Sequence, residues 1–135
     1  MDDIYILIVV DTVATATSNS LVSNSYLGNS NGSFEAWDKE HKRTITDCFN
    51  GQTINWRVAP IDSNETIELI NFKGEMINKG VCIPSSKGIS NAEFWVGRME
   101  TQEMARKYRY SCELLIDGKT YQFNSVLKVL ENSQA

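Results

Sequence analysis

An Asp-Gly pair in the last third of the chain, Asp117-Gly118, constrains the fold more than any other sequence feature. It separates two runs in which apolar and polar side chains alternate, and Asp-Gly favours the positive φ angles of a two-residue type I′ hairpin turn. Pairing outward from the turn places Leu114 opposite Tyr121. In this register one face of the hairpin is apolar and the other polar, as the period of two along a strand requires. The apolar face carries Tyr108, Tyr110, Cys112, Leu114, Ile116, Tyr121, Phe123, Leu127 and Val129.

The rest of the chain predicts further short strands separated by turn residues. Strand-like patterns cover residues 4–10, 25–27, 44–49, 53–59, 66–72 and 91–100. A helix from about Val13 is a weaker alternative within the polar segment that follows the first strand, because Thr, Ser and Asn favour caps and turns. The sequence therefore predicts an all-β protein. We expect a single-domain antiparallel β-sandwich over residues 1–135, with about seven or eight strands and a long Asn/Ser-rich loop after strand 1.

The first predicted strand, Ile4 to Val10, is an unbroken run of seven apolar residues. A continuous β-branched run is typical of an interior strand covered on both faces. It is too short to cross a bilayer, and Asp2 and Asp3 stand where a secretory signal would carry basic residues. We therefore expect a cytoplasmic protein that does not use a membrane as partner.

Length and charge narrow the possible partners. A chain of 135 residues can bury a core without disulfide or metal support. The chain has 13 Lys and Arg residues and 17 Asp and Glu residues, which gives a net charge of -4. The longest basic run is Lys42-Arg43. A nucleic-acid partner is not expected, because binding to phosphates requires a clustered positive surface.

The cysteines and the single histidine do not indicate a metal centre or an enzyme. Cys48, Cys82 and Cys112 are far apart in sequence and predict free, buried thiols in a reducing compartment. A hydrolase would have to use His41 as its base, together with Cys48 or a nearby serine. Neither a P-loop nor a GxGxxG motif is present. We expect a non-catalytic protein with no cofactor.

The polar loop after the first strand supplies the candidate ligand site. Sugar and calcium sites in β-sandwiches commonly lie on loops and combine Asp and Asn oxygens with an aromatic ring. The residues of this kind are Asn24, Asn29, Asn31, Trp37 and Asp38. One hypothesis is a sugar-binding lectin, assisted by calcium, that uses these residues. The other is that they only stabilise turns.

Three segments resemble the PixA/AidA family of bacterial inclusion body proteins. They are IYILIVVDT from Ile4, SYLGNSNGSFEAW from Ser25, and GQTINWRVAPIDSNETIELINFKG from Gly51. The third segment matches the family's Gly-Asp-x-Ile-x-Trp-Arg strand, although Gln52 stands where the family usually has Asp. The resemblance implies a non-catalytic protein that can accumulate as cytoplasmic inclusions. Exposed strand edges would support self-association, and we expect at least a homodimer.

Overall fold

A computed structural model describes residues 2–32, 35–88, 93–101, 103 and 105–131. The described residues form ten strands, two short α-helices and a 3₁₀ turn at Val22–Asn24. The helices are α1 (Thr12–Ser18) and α2 (Glu75–Asn78). The strands are β1 (Ile4–Val10), β2 (Ser25–Asn29), β3 (Trp37–Asp38), β4 (Arg43–Cys48), β5 (Thr53–Pro60), β6 (Glu68–Lys73), β7 (Ser85–Lys87), β8 (Phe94–Arg98), β9 (Arg106–Ile116) and β10 (Lys119–Val129). The predicted all-β class is confirmed, and residues 91 and 92 of the predicted strand 91–100 lie outside the described residues.

The strands form two five-stranded sheets. Sheet A has the order β2-β1-β5-β8-β7, and sheet B has the order β3-β4-β10-β9-β6. Both sheets are mixed, because β1 pairs with β5 in parallel and β4 pairs with β10 in parallel. The sequence predicts an antiparallel sandwich of about seven or eight strands, whereas the described residues form ten strands and each sheet contains one parallel pair. The chain leaves sheet A after β2, forms β3 and β4 in sheet B, and returns to sheet A as β5 in the direction of β1.

The inner faces of the two sheets share one hydrophobic core. It combines Ile4, Ile6 and Ile8 of sheet A with Tyr108, Tyr110, Cys112 and Leu114 of sheet B. Trp56 of β5 is fully buried, and its indole Nε1 donates a hydrogen bond to Tyr110 Oη over 3.1 Å. This bond satisfies a polar group that would be costly to leave unpaired in the core.

The predicted hairpin is confirmed as β9 and β10. Asp117 has φ of 50° and Gly118 has φ of 74°, which are the positive angles that a type I′ turn needs. Leu114 pairs with Tyr121, and Cys112 pairs with Phe123. The apolar alternation therefore sets the register, since a slip by one residue would turn the buried side chains to water.

The segment after β1 contains a helix as well as the predicted short strand. Asp11 Oδ1 accepts a hydrogen bond from the backbone N–H of Ala14 over 3.0 Å and so caps the first turn of α1. Asn19 ends the helix in the left-handed conformation with φ of 59°. The expected long loop is thus shortened by a capped helix, and the strand predicted at residues 25–27 is part of β2.

Strand β1 differs from its prediction. It is interior in sheet A, between β2 and β5, but its side chains alternate between buried and exposed. Ile6 and Ile8 are buried, whereas Tyr5 and Leu7 are 58% and 43% exposed. Only one face is covered by the rest of the described chain, so the expectation of burial on both faces was wrong.

The three cysteines are free and buried, as predicted. Burial raises the pKa of each thiol, Cys48, Cys82 and Cys112, to about 12. Cys82 also leaves no room for a side chain at Gly97, because a Cβ atom placed there would lie only 2.7 Å from Cys82 Sγ. None of the described helices is long and apolar enough to span a membrane.

Candidate functional site

Asn24, the first of the predicted site residues, stabilises its own loop. Its Nδ2 donates to Ser20 O over 2.8 Å and to Ser18 Oγ over 3.2 Å. Its backbone carbonyl accepts from the N–H of Asp11 over 2.8 Å. These contacts hold the end of the 3₁₀ turn against both ends of α1.

Asn29 and Asn31 lie together at the end of β2, beside β4. Asn29 Oδ1 accepts from the backbone N–H of Asn31, and Asn29 Nδ2 donates to Thr46 Oγ1 over 3.3 Å. Asn31 Nδ2 donates to Asp47 O over 2.6 Å. These amides therefore tie the end of β2 in sheet A to β4 in sheet B.

Trp37 and Asp38 are neighbours in β3 and therefore point to opposite faces of sheet B. Trp37 is 52% exposed and borders a cavity of about 80 Å³ with Leu21, Arg43 and Phe123. This volume is well below the range of about 300–1,000 Å³ that is usual for ligand pockets. The five predicted residues thus divide into Asn24 in its own loop, Asn29 with Asn31, and Trp37 and Asp38 on opposite faces of sheet B. Sugar binding by them stays a prediction, which a glycan array screened with and without a chelator would test.

Asp38 anchors a polar network on the outer face of sheet B. Its carboxylate is 2.8 Å from His41 Nδ1, accepts from Lys107 Nζ over 3.2 Å, and accepts from the backbone N–H of Glu40 over 3.0 Å. Burial by itself would raise the pKa of Asp38. The hydrogen bonds from His41, Lys107 and Glu40 stabilise the charged form more strongly and lower its pKa from the ordinary 3.8 to about 2.

Ligand atoms of Asp38, Glu40 and His41 lie within 4.8 Å of one another, which is close enough for a shared metal ion. However, Lys107 Nζ already contacts both carboxylates, at 3.2 Å from Asp38 and 3.3 Å from Glu40. Calcium takes six to eight oxygen ligands. Two carboxylates already paired with an ammonium group, plus an imidazole, do not match that preference, so this cluster gives the calcium alternative no support.

The residues considered for hydrolysis are not arranged as a catalytic pair. His41 lies at the surface turn between β3 and β4, with Nδ1 bonded to Asp38. Cys48 lies in the hydrophobic core at 1% exposure, and its raised pKa keeps the thiol protonated near neutral pH. The geometry therefore supplies no activated thiol nucleophile at this position.

The outer face of sheet A is an apolar surface that the sequence does not predict. We use this name for the outward side chains of β1, β2 and β8, which are Tyr5, Leu7, Val9, Tyr26, Phe94 and Val96. Val9 pairs with Tyr26 across β1 and β2, and Leu7 pairs with Arg57 across β1 and β5. The Arg57 guanidinium lies over the ring of Phe94, with its carbon 5.1 Å from the ring centroid.

A family model described as a domain of unknown function, DUF8788, matches residues 2–122. The chain belongs to the DUF8788 family. No curated protein sequence matches this DUF8788 chain.

A solved structure shares the fold of this DUF8788 protein. It is the inclusion body protein PixA from Burkholderia cenocepacia, with a TM-score of 0.60 and 11% sequence identity. The match covers 93% of this chain and 95% of that chain. The predicted likeness to PixA is therefore confirmed at the level of the fold. Membership of an AidA group gains no support from these comparisons.

Proposed function

We propose that this protein functions without catalysis, by associating with further copies of itself into at least a homodimer. The observation that carries the proposal is the exposed outer face of sheet A. The description of its fold neighbour as an inclusion body protein supports the same function, and we extend it to a cytoplasmic protein that can accumulate in inclusions.

The composition of the face favours a second copy as its partner. Soluble monomers rarely expose contiguous apolar patches larger than a few hundred Å². Around Leu7 and Val9 the only charged neighbour in the paired strands is Arg57, whose guanidinium is stacked on Phe94. Two such faces can stack as sheets do inside a sandwich, and a twofold axis would bury the same residues on both copies.

Burial of this face would contribute appreciable free energy. Apolar surface removed from water stabilises association by roughly 25 cal/mol per Å². Tyr5, Leu7 and Tyr26 are each more than 40% exposed, so a large part of each side chain can still be removed from water by association. A charge placed at the centre of the face would remain buried and unpaired in the complex, which is strongly unfavourable.

Sedimentation velocity over a dilution series tests the proposal with Leu7→Lys. We expect the unmodified protein to sediment as a dimer or larger species at high concentration. The Leu7→Lys variant should need a protein concentration at least about tenfold higher to associate to the same extent. Val22→Lys is the matched control, because Val22 is 79% exposed in the 3₁₀ turn and lies outside the outer face of sheet A. A monomeric unmodified protein at every concentration would overturn the proposal, as would an unchanged Leu7→Lys variant.

A further inference from the structure

A wide cleft opens between the two sheets at the end of the molecule that carries the β9–β10 turn. Its volume is about 920 Å³. One wall is the second half of β5 with the start of β8, and the opposite wall is the start of β6 with the turn at Asp117-Gly118. The size lies within the range of about 300–1,000 Å³ usual for small-molecule sites.

The floor of the cleft is aromatic and held in place. Trp95 is half-buried, and its Nε1 donates to Leu69 O over 3.0 Å, which fixes the indole of one sheet to the backbone of the other. Phe72 packs against both tryptophans, with ring centroids 4.9 Å from Trp56 and 5.4 Å from Trp95. An aromatic wall fixed before binding loses little conformational entropy when a ligand arrives.

The rim of the cleft is acidic. Four exposed acidic residues line it, Glu65, Glu68, Glu93 and Asp117, although Glu68 pairs with Leu115 and its side chain is directed to the outer face of sheet B. None of these four forms an ion pair with any residue in the described part of the chain. The one basic residue of the lining, Arg57, directs its guanidinium to Phe94 on the outer face of sheet A.

We propose that this cleft binds a small organic cation, an ammonium group attached to an apolar body. The carboxylates of the rim would attract the positive charge, and the indole of Trp95 would face it, since indole is the best aromatic partner for ammonium ions. The apolar body would pack against Val58 and Ile67, which are both partly buried against the core. The inference depends on the cleft alone and is separate from self-association through the outer face of sheet A.

Nuclear magnetic resonance of the three tryptophan indole N–H groups tests the proposal directly. The probe is benzyltrimethylammonium, and benzyl alcohol and phenylacetate are the neutral and anionic comparisons. We expect a saturable shift of the Trp95 signal with a dissociation constant on the order of 1 mM. The signal of Trp37, which lies outside the cleft in β3, should stay unchanged. The neutral probe should bind at least about fivefold more weakly, a difference of about 1 kcal/mol.

A charge-neutral variant separates the acidic rim from the aromatic floor. Changing Glu65 and Glu93 to Gln and Asp117 to Asn together should weaken binding of the cation about fivefold. Glu113→Gln is the matched control, because Glu113 lies on β9 outside the cleft and bonds to Asn71. Raising the salt concentration should weaken binding to the unmodified protein in the same direction. This second measurement needs no variant.

Three results would overturn the proposal. The first is the absence of a saturable Trp95 shift at about 10 mM benzyltrimethylammonium. The second is equal binding of benzyl alcohol, which would show a cleft that recognises only the apolar body. The third is insensitivity to both the triple variant and salt, which would remove the role of the carboxylates.

Discussion

The two sheets have similar inner faces and different outer faces. The outer face of sheet B is polar and internally bonded: Ser111 Oγ donates to Asn124 Oδ1, Asn71 Nδ2 donates to Glu113 Oε1, and Lys107 pairs with Asp38. The outer face of sheet A exposes Tyr5 and Leu7. Sheet B pairs these outward polar groups within the chain, whereas sheet A leaves apolar side chains exposed to water. This difference supports our proposal that the apolar residues on the outside of β1 serve association.

The largest expected effect concerns the two faces of β1. Ile8→Ala should lower the free energy of unfolding by about 2–5 kcal/mol, because Ile8 is completely buried and its removal leaves a cavity. Leu7→Ala, one residue away on the exposed face, should cost less than about 1 kcal/mol. Urea denaturation of both variants, at a concentration where the protein is monomeric, measures the contrast. Equal losses would show that Leu7 is covered within the monomer and would remove the basis of the comparison.

A smaller loss is expected at Gly97, on the inner side of sheet A. Gly97→Ala should destabilise the protein by about 1–3 kcal/mol through overpacking, since the added Cβ would lie 2.7 Å from Cys82 Sγ and 3.3 Å from the backbone of Pro84. The double change Gly97→Ala with Cys82→Ala should recover part of the Gly97→Ala loss, because the sulfur is removed and the Pro84 contact remains. Thermal unfolding of the single and double variants measures this coupling. Strict additivity of the two changes would contradict the close contact.

The smallest effect is expected on the outer face of sheet B. The folded-state pKa of Asp38 is about 2, below its ordinary 3.8, so its charged form stabilises the fold above pH 3.8 and this contribution is lost as the pH falls toward 2. Asp38→Asn should cost about 1 kcal/mol at pH 7 and should remove this part of the acid sensitivity. The free energy of unfolding of Asp38→Asn and of the unmodified protein, measured between pH 2 and 7, tests this prediction. A variant with the same acid profile as the unmodified protein would show that Asp38 does not gain from its partners.

The hairpin could be predicted in detail because its determinants are local. The turn is encoded by Asp117-Gly118, and the alternation beside it allows only one register that buries Tyr110 and Cys112. The pairing of β1 with β5 could not be predicted in this way. These strands are separated by the chain that forms β3 and β4 in the other sheet, so their parallel contact depends on the whole topology.

The candidate surfaces were predicted less well than the fold. Trp37 and Asp38 are adjacent in sequence, and in a strand adjacent side chains point to opposite faces. Strand β3 has only these two residues, which is too short for an alternating pattern to reveal it from the sequence. Tyr5 and Leu7 belong to the apolar run of β1, whose unbroken pattern predicts burial on both faces, yet both are exposed. The carboxylates of the cleft come from three separate parts of the chain, and no local signal joins Glu65, Glu93 and Asp117.

The sequence by itself determined that this chain is built from strands, where its main hairpin turns, and which side chains of that hairpin enter the core. These properties follow from turn chemistry and from the two-residue period of a strand, which act between near neighbours. Only the tertiary structure decided that β1 is uncovered on one side and that the sheets separate into a cleft beside Trp95. An apolar side chain favours burial but carries no information about which distant strand will cover it.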